Sequence, residues 1–335
     1  MTEYEPGYIA LYRSGELGKR VARLEARLAA CDICPRECHA KRLAGLAGHC
    51  YTGLLVPVAS VGAHHGEEPV LSGSRGSGTI FFGNCNLRCV YCQNYQISQD
   101  PMVQKRNEME PDILAERMLY LQDTLGCHNI NLVTPSHVVP QIMRALLAAV
   151  PKGLRLPLVY NTSSYDSLAT LRELDGVVDI YLADLRYASD DLARKYSRVR
   201  HYVASSREAI KEMYRQVGDL VLDAEGVARK GLIVRHLVLP NDIAGSEDSL
   251  SWLAREVSPR VAVSIMSQYH PAHRALKHKE INRKITTQEY QEVAELAARL
   301  GLENGWLQGV DSPESYLPDF SEDEPFSGRR RRRSR

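Results

Sequence analysis

Three cysteines stand in a C-x3-C-x2-C spacing at Cys85, Cys89 and Cys92. Three thiolates this close can ligate three irons of a [4Fe–4S] cube, leaving the fourth iron without a protein ligand. An open coordination position separates a catalytic metal site from a closed structural one. The amino group and carboxylate of S-adenosylmethionine are suited to chelating there. Half of a zinc site, with a ligand arriving from elsewhere, is the competing reading. Disulfides fit poorly, because neighbouring pairs would leave an odd thiol.

A second set lies upstream. Cys31, Cys34, Cys38 and Cys50 give C-x2-C-x3-C-x11-C, a complete ligand set for zinc or for an iron–sulfur cluster. Gly45, Gly48 and Gly53 suit the tight turns that would gather these ligands. Packing of reduced cysteines in a small knuckle is the plainer alternative. His39 and His49 adjoin the set without a required role, and His64 and His65 read as loop residues. The eighth cysteine, Cys127, reads as a small buried hydrophobe.

The elements that must position these residues alternate between strand and helix. Thr79-Ile80-Phe81-Phe82 reads as a strand directly before the three-cysteine loop. Further strands are predicted over 129–134, 156–160, 178–182, 231–239 and 261–266, with a short one over 306–308. Helices are predicted over 111–125, 140–150, 168–174, 205–217, 246–256 and 286–300, the last with Thr287 as cap. Leu17, Val21, Leu24 and Leu28 mark an amphipathic helix over 13–30. Residues 54–78, which become rich in glycine and serine, read as a flexible approach to the first core strand. They lack the lysine and Ser/Thr ending of a phosphate loop. Alternating strands and helices imply a parallel sheet, whose strand ends carry chemistry. Asn161, Ser163, Asp184, Arg186, Arg235 and His270 fall in or just after such strands. Tyr160, Tyr165 and Tyr181 read as packing.

The three-cysteine spacing, with Tyr91 before its last cysteine and a strand before its first, resembles the signature of the radical S-adenosylmethionine (radical SAM) superfamily. The resemblance is nearest to an uncharacterised group named after pyruvate formate-lyase activating enzyme that carries an N-terminal cysteine block. It rests on 31–36, 75–82, 91–98 and 234–241 and runs from about Cys31 to Gln308. It implies an α/β fold, an incomplete (β/α)6 barrel with a small cysteine-rich metal-binding extension. It implies a [4Fe–4S] cluster on Cys85, Cys89 and Cys92, and S-adenosylmethionine bound by residues matching Tyr91, Asn161, Ser163, Asp184, Arg186, Arg235 and His270. Arg186 stands where that family has lysine. Thr134-Pro135-Ser136-His137 stands where it usually has a Gly-Gly-Glu-like turn.

The implied chemistry is reductive cleavage of S-adenosylmethionine to a 5′-deoxyadenosyl radical that abstracts hydrogen from a substrate. Three readings stay open: activation of a glycyl-radical enzyme, modification of a peptide or small molecule, and a non-catalytic iron–sulfur or zinc module that binds nucleic acid. The enzyme readings imply an electron donor such as flavodoxin or ferredoxin. A second metal, zinc or iron–sulfur, would occupy the upstream cysteines.

Composition sets the outer bounds. The 335 residues suffice for one large domain with extensions, and their net charge of +1 gives no reason to expect nucleic acid. No apolar run is long enough to cross a membrane, and the start has no secretory pattern, so a cytoplasmic location is expected. Seven of the eight cysteines fall between Cys31 and Cys92, which points to cofactor ligation before disulfides. The expected division is a helical arm over 1–30, a cysteine-rich extension and loop over 31–74, the partial barrel over 75–318 and a disordered basic tail over 319–335. That tail includes the arginine run Arg329 to Arg333.

Overall fold

A computed structural model describes residues 4–309, 318 and 320. The strands, in chain order, are β1 (Val56–His64), β2 (Ser77–Phe82), β3 (Glu108–Met109), β4 (Ile130–Val133), β5 (Leu158–Thr162), β6 (Ile180–Asp184), β7 (Val221–Leu222), β8 (Ala228–Leu237), β9 (Ala262–Met266) and β10 (Gly305–Leu307). The sheet order is β10-β9-β8-β6-β5-β4-β2-β1-β3, with β7 pairing β8. From β2 to β10 every neighbouring pair along this path is parallel. Crossover helices over Pro111–Asp123, Val139–Ala149, Leu168–Glu173, Tyr202–Val217 and Ser246–Glu256 connect these strands. The βα repeat read in the sequence is therefore present, and the short strand at 306–308 joins the far edge as β10. Residues of β2, β4, β5, β6, β8, β9 and β10 line one cavity, so the sheet curls around it. Among the described residues no pairing joins the β10 edge to the β3 edge.

Residues 54–78 are not a flexible approach. Val56–His64 forms β1, antiparallel to β2, with Val61 opposite Ile80 and His64 opposite Ser77. The expected boundary at 74/75 thus falls between two paired strands, and β1 belongs to the same sheet as β2. After β1 the chain turns through Glu67 and Glu68 into a single helical turn, Pro69–Ser72. Val70 and Leu71 pack against Val159, Ile180, Leu182 and Ile233, so this segment covers one face of the sheet. The Asn129 side chain fixes it by donating to the Leu71 carbonyl over 2.9 Å. Two of the glycines that suggest looseness instead serve close approach: a Cβ at Gly73 would lie 2.7 Å from His128 Nε2, and one at Gly78 2.7 Å from the Asn129 carbonyl.

The helix expected over 13–30 starts later, at Glu16, after a separate helix Gly7–Arg13 and a left-handed Gly15. Its apolar stripe, Leu17, Val21 and Leu24, is buried and faces Val139–Ala149. Asp190–Ser197 is a helix the sequence pattern did not single out. The final helix is capped by Thr286 rather than Thr287: Thr286 Oγ1 accepts from Glu289 N, and Glu289 closes a capping box. Cys127 is buried in the core as expected, and so are Tyr160, Tyr165 and Tyr181. Phe320, inside the span expected to be a tail, stacks edge-on against Phe81 at 5.4 Å. The arginine run lies outside the described residues. No described helix is long and apolar enough to cross a membrane.

Candidate functional site

The three-cysteine loop begins where β2 ends. Gly83 leaves no room for a side chain, since a Cβ there would meet buried Gln104 at 2.1 Å. Asn84 follows with a left-handed φ of 63°, which turns the chain sharply out of the strand. The loop is then bound to the helix Asp190–Ser197, because Arg88 N donates to Ser197 O and Val90 N to Tyr196 O. Gln99 Nε2 donates to Cys89 O at 2.8 Å, and Gln93 Nε2 to Gln268 O at 3.0 Å.

Each sulfur of this loop meets a polar group. Leu87 N points at Cys85 Sγ over 3.3 Å. Cys89 Sγ lies 3.0 Å from Ser197 Oγ and 3.4 Å from Arg186 Nη1. Cys92 Sγ lies 3.3 Å from Ser98 Oγ. Burial pushes the Cys85 thiol up to about 11 and the Cys92 thiol up to about 12. A coordinating metal reverses that order, because it deprotonates a bound thiol outright. The donor set therefore fits an iron–sulfur cluster: three soft ligands on one loop, each with a hydrogen-bond donor at hand. Among the described residues no three His, Cys, Asp or Glu side chains are arranged around a single ion. That is compatible with a cube, in which each cysteine binds a different iron.

The loop opens into a cavity of about 710 Å3. All the residues expected at the cofactor line it: Tyr91, Asn161, Ser163, Asp184, Arg186, Arg235 and His270. Parallel register places Asp184 beside Arg235. Arg235 Nε donates to Asp184 Oδ1 at 2.8 Å, and its Nη2 to Asn161 Oδ1 at 2.5 Å. Arg186 donates to Asp184 Oδ2 at 2.6 Å. Burial alone would raise the Asp184 carboxyl, but Arg235 and Arg186 hold it below the usual carboxylate range. The charged residues expected to bind S-adenosylmethionine are thus already paired with one another, with Arg186 also reaching Cys89 sulfur. Tyr91 packs edge-on against Tyr269 at 5.8 Å, and its hydroxyl lies 2.5 Å from Tyr187 Oη.

Two carboxylates of the cavity wall escaped the sequence reading. Glu67 Oε2 approaches Arg235 Nη1 at 3.7 Å, and Glu68 bonds Ser264. They come from the turn after β1, which carries no strand-end signal. The adjacent Glu-Glu pair before a proline is visible only in retrospect.

The upstream cysteines also converge, on a different place. Cys31, Cys34, Cys38 and Cys50 line one small cavity with His49 and His137. All are free thiols. Left-handed backbone at Glu37, His39 and Tyr51 brackets Cys38 and Cys50. Gly48 leaves space for Cys38, whose sulfur would lie 2.5 Å from a Cβ there. Burial pushes the Cys34 thiol up to about 12, with Cys50, Cys31 and Cys38 adding to the rise. His137 is buried; its Nε2 contacts Gly83 O at 3.0 Å and its Nδ1 has no partner. The sequence reading noted His137 at a strand end but did not associate it with these cysteines. Two guanidiniums join the sites: Arg36 donates to the Asn86 carbonyl of the loop, and Arg88 donates to His49 O at 2.6 Å.

Comparison with known proteins adds the following. Residues 79–224 match the model of the Radical SAM superfamily. An uncharacterized protein of Methanocaldococcus jannaschii is 30% identical over 245 residues, which make up 72% of this chain and 66% of that protein. The chain therefore spans slightly under two thirds of that relative's length. Among solved structures, Streptococcus suis SuiB bound to precursor peptide SuiA aligns with a TM-score of 0.45 at 13% identity, covering 71% of this chain and 50% of that one. Methylornithine synthase (PylB) aligns with a TM-score of 0.42 at 16% identity, covering 70% and 71%.

Proposed function

From the match of residues 79–224 to the model of the Radical SAM superfamily, we propose that Cys85, Cys89 and Cys92 hold a [4Fe–4S] cluster whose open iron takes S-adenosylmethionine. When bound, this pair supplies the electron and the sulfonium whose reductive cleavage gives the 5′-deoxyadenosyl radical that takes hydrogen from a substrate. The protein's share is to position, tune and exclude water. Arg186 lies between Asp184 and the Cys89 sulfur, so it lends positive charge to the ligand set from one side. Asp184 holds both guanidiniums in place. Tyr91, Tyr187, Tyr202 and Tyr269 form an apolar wall behind the loop that limits solvent access. Asn161, Ser163, Arg235 and His270 are the candidate contacts to S-adenosylmethionine, each exposed to the cavity.

The reading rests chiefly on one observation. The three sulfurs, each beside a hydrogen-bond donor, open into the same cavity as the Asp184–Arg186–Arg235 network. A hydrogen-abstracting, activating-enzyme-like oxidoreductase acting on a glycyl-radical enzyme is favoured by the sheet's open edges, which leave a side for a protein loop. Modification of a peptide or small molecule is the second reading, favoured by the carboxylates on the cavity wall. Reduction would come from a flavodoxin- or ferredoxin-like donor. We also propose that Cys31, Cys34, Cys38 and Cys50 bind a second metal, because the four thiols and the unpartnered Nδ1 of His137 line one cavity; of zinc and iron–sulfur, the cluster is favoured, since among the described residues no three such side chains surround a single ion.

The test is anaerobic reconstitution, reduction with dithionite and addition of S-adenosylmethionine. Formation of 5′-deoxyadenosine is expected, and its absence from protein with full iron and sulfide content contradicts the reading. Candidate glycyl-radical partners are then added, and a protein-centred radical signal by electron paramagnetic resonance distinguishes activation from the second reading.

A further inference from the structure

The two cysteine sets are tied together at close quarters. Arg88 donates through Nη1 to Cys85 O at 2.7 Å and through Nη2 to His49 O at 2.6 Å. One guanidinium thus bridges Cys85 and the residue before Cys50. Arg36, two residues after Cys34, donates to Asn86 O, next to Cys85. Arg42 is 1% exposed; it donates to His137 O at 2.9 Å and reaches Cys31 Sγ at 3.7 Å. Among the described residues, Arg36, Arg42 and Arg88 bond only carbonyl oxygens and this one sulfur. A buried cation without an anion costs free energy, and thiolates ligating a metal supply the missing negative charge.

The two sets face different surroundings. The sulfurs of the loop open into the cavity that S-adenosylmethionine and substrate fill. Upstream, Cys38 is exposed. Gly48 lies against its sulfur, and Tyr51 N donates to Gly48 O. Leu43, Leu46 and Tyr51 are exposed in the same short block. From Arg36 to Leu54 the one carboxylate, Glu37, stands against Arg36, Lys41 and Arg42. The surface around Cys38 is therefore apolar and basic.

Resting on the proposed function, we infer that the upstream cysteines hold an iron–sulfur cluster that takes electrons from a small acidic electron-carrier protein docked over Cys38 and hands them to the loop. One electron moves per cleavage. The carrier is oxidised by one electron, and the upstream cluster is reduced and then reoxidised. The electron ends in the carbon–sulfur bond of the sulfonium, which breaks to methionine and the 5′-deoxyadenosyl radical. The exposed apolar side chains give the carrier contact area, and Lys41 with its basic neighbours gives charge complementarity. The guanidiniums nearby favour the more negative, reduced state of the cluster. Entry at Cys38 lets the electron arrive while the cavity is occupied.

The experiment mixes reconstituted protein anaerobically with reduced [2Fe–2S] ferredoxin or flavodoxin hydroquinone, two acidic carriers, and follows carrier reoxidation by stopped-flow absorbance. Wild type is compared with a variant in which Cys31, Cys34, Cys38 and Cys50 are alanine, one in which Cys85, Cys89 and Cys92 are alanine, and K41E. Wild type and the variant keeping only the upstream cysteines should reoxidise at least one carrier, and the variant lacking them should lose this. K41E should slow it about tenfold at low salt, the scale of electrostatic steering. Dithionite needs no docking, so it should still drive 5′-deoxyadenosine formation without the upstream cysteines. Carrier-driven product at the wild-type rate in that variant overturns the inference. Zinc in place of iron at the upstream cysteines also overturns it, because zinc has no redox chemistry. An unchanged rate in K41E overturns docking at this face. Product from dithionite with no carrier reoxidation by the upstream cysteines alone sinks this inference and spares the proposed function. Carrier reoxidation with no product from any reductant sinks the proposed chemistry instead.

Discussion

The molecule gathers cysteines in two places, and it treats them differently. In the loop after β2 each sulfur has a polar neighbour, and the sulfurs share a cavity of about 710 Å3 with a buried ion-pair network. In the block over 31–50 four thiols line a small recess with one unpartnered imidazole nitrogen. The first arrangement faces a large cavity and is electrostatically prepared; the second lines a small recess, with Cys31, Cys34 and Cys50 buried and Cys38 exposed. Metal chemistry makes the same distinction, since a catalytic centre keeps a position for a small ligand and a structural one does not. Ligand count alone would have ranked the four-cysteine block higher. Donors reach sulfur in both places, as Arg42 Nη1 does at Cys31; what sets the loop apart is the large cavity it shares with the Asp184–Arg186–Arg235 network.

The comparison can be broken most forcefully through the network beneath the loop. Asp184→Asn leaves Arg186 and Arg235 buried without their shared anion. Removing one partner of a buried pair costs about 3–5 kcal/mol, so urea unfolding should show a loss on that scale, together with lost S-adenosylmethionine binding. A loss under about 1 kcal/mol would put the network in the class of exposed pairs and remove the electrostatic half of the contrast.

Replacing Cys31, Cys34, Cys38 and Cys50 together by alanine should remove the second metal from elemental analysis while the loop keeps its iron and 5′-deoxyadenosine still forms. Unchanged metal content would reduce the block to packing. Next in size, Arg36→Met unties the block from the Asn86 carbonyl. An orphaned buried acceptor costs roughly 1–3 kcal/mol. The melting temperature should fall accordingly, with metal content kept at both places. The smallest effect belongs to a control remote from both. Thr286→Ala removes a helix cap worth about 1 kcal/mol, and neither cysteine set should respond in metal content.

Local features were legible and tertiary arrivals were not. The cysteine spacing, the preceding strand and the alternation of β2 to β9 with helices are written in consecutive residues. That is why the loop's place at a strand end could be read directly. Convergence of Asn161, Asp184, Arg186 and Arg235 on one cavity was also readable, because parallel strands end on one side. Their pairing was not. Whether Arg235 meets Asp184 depends on the β6–β8 register, which no single strand encodes. Glu67 and Glu68 were missed because the segment around them is rich in glycine and serine. Composition says loop, while its burial comes from partners on β5, β6, β8 and β9. His137 was seen only as the end of the segment standing where the family usually has a Gly-Gly-Glu-like turn, yet the fold places it against the upstream cysteines, far away in sequence.

The central claim is that the loop over 85–92, and not the block over 31–50, carries the catalytic cluster. It is tested most directly by reconstituting wild type, Cys89→Ala and Cys38→Ala side by side and measuring 5′-deoxyadenosine under anaerobic reduction. The account predicts that product is abolished in Cys89→Ala and persists in Cys38→Ala. Persistence in Cys89→Ala, or abolition in Cys38→Ala with the loop's iron intact, would contradict it.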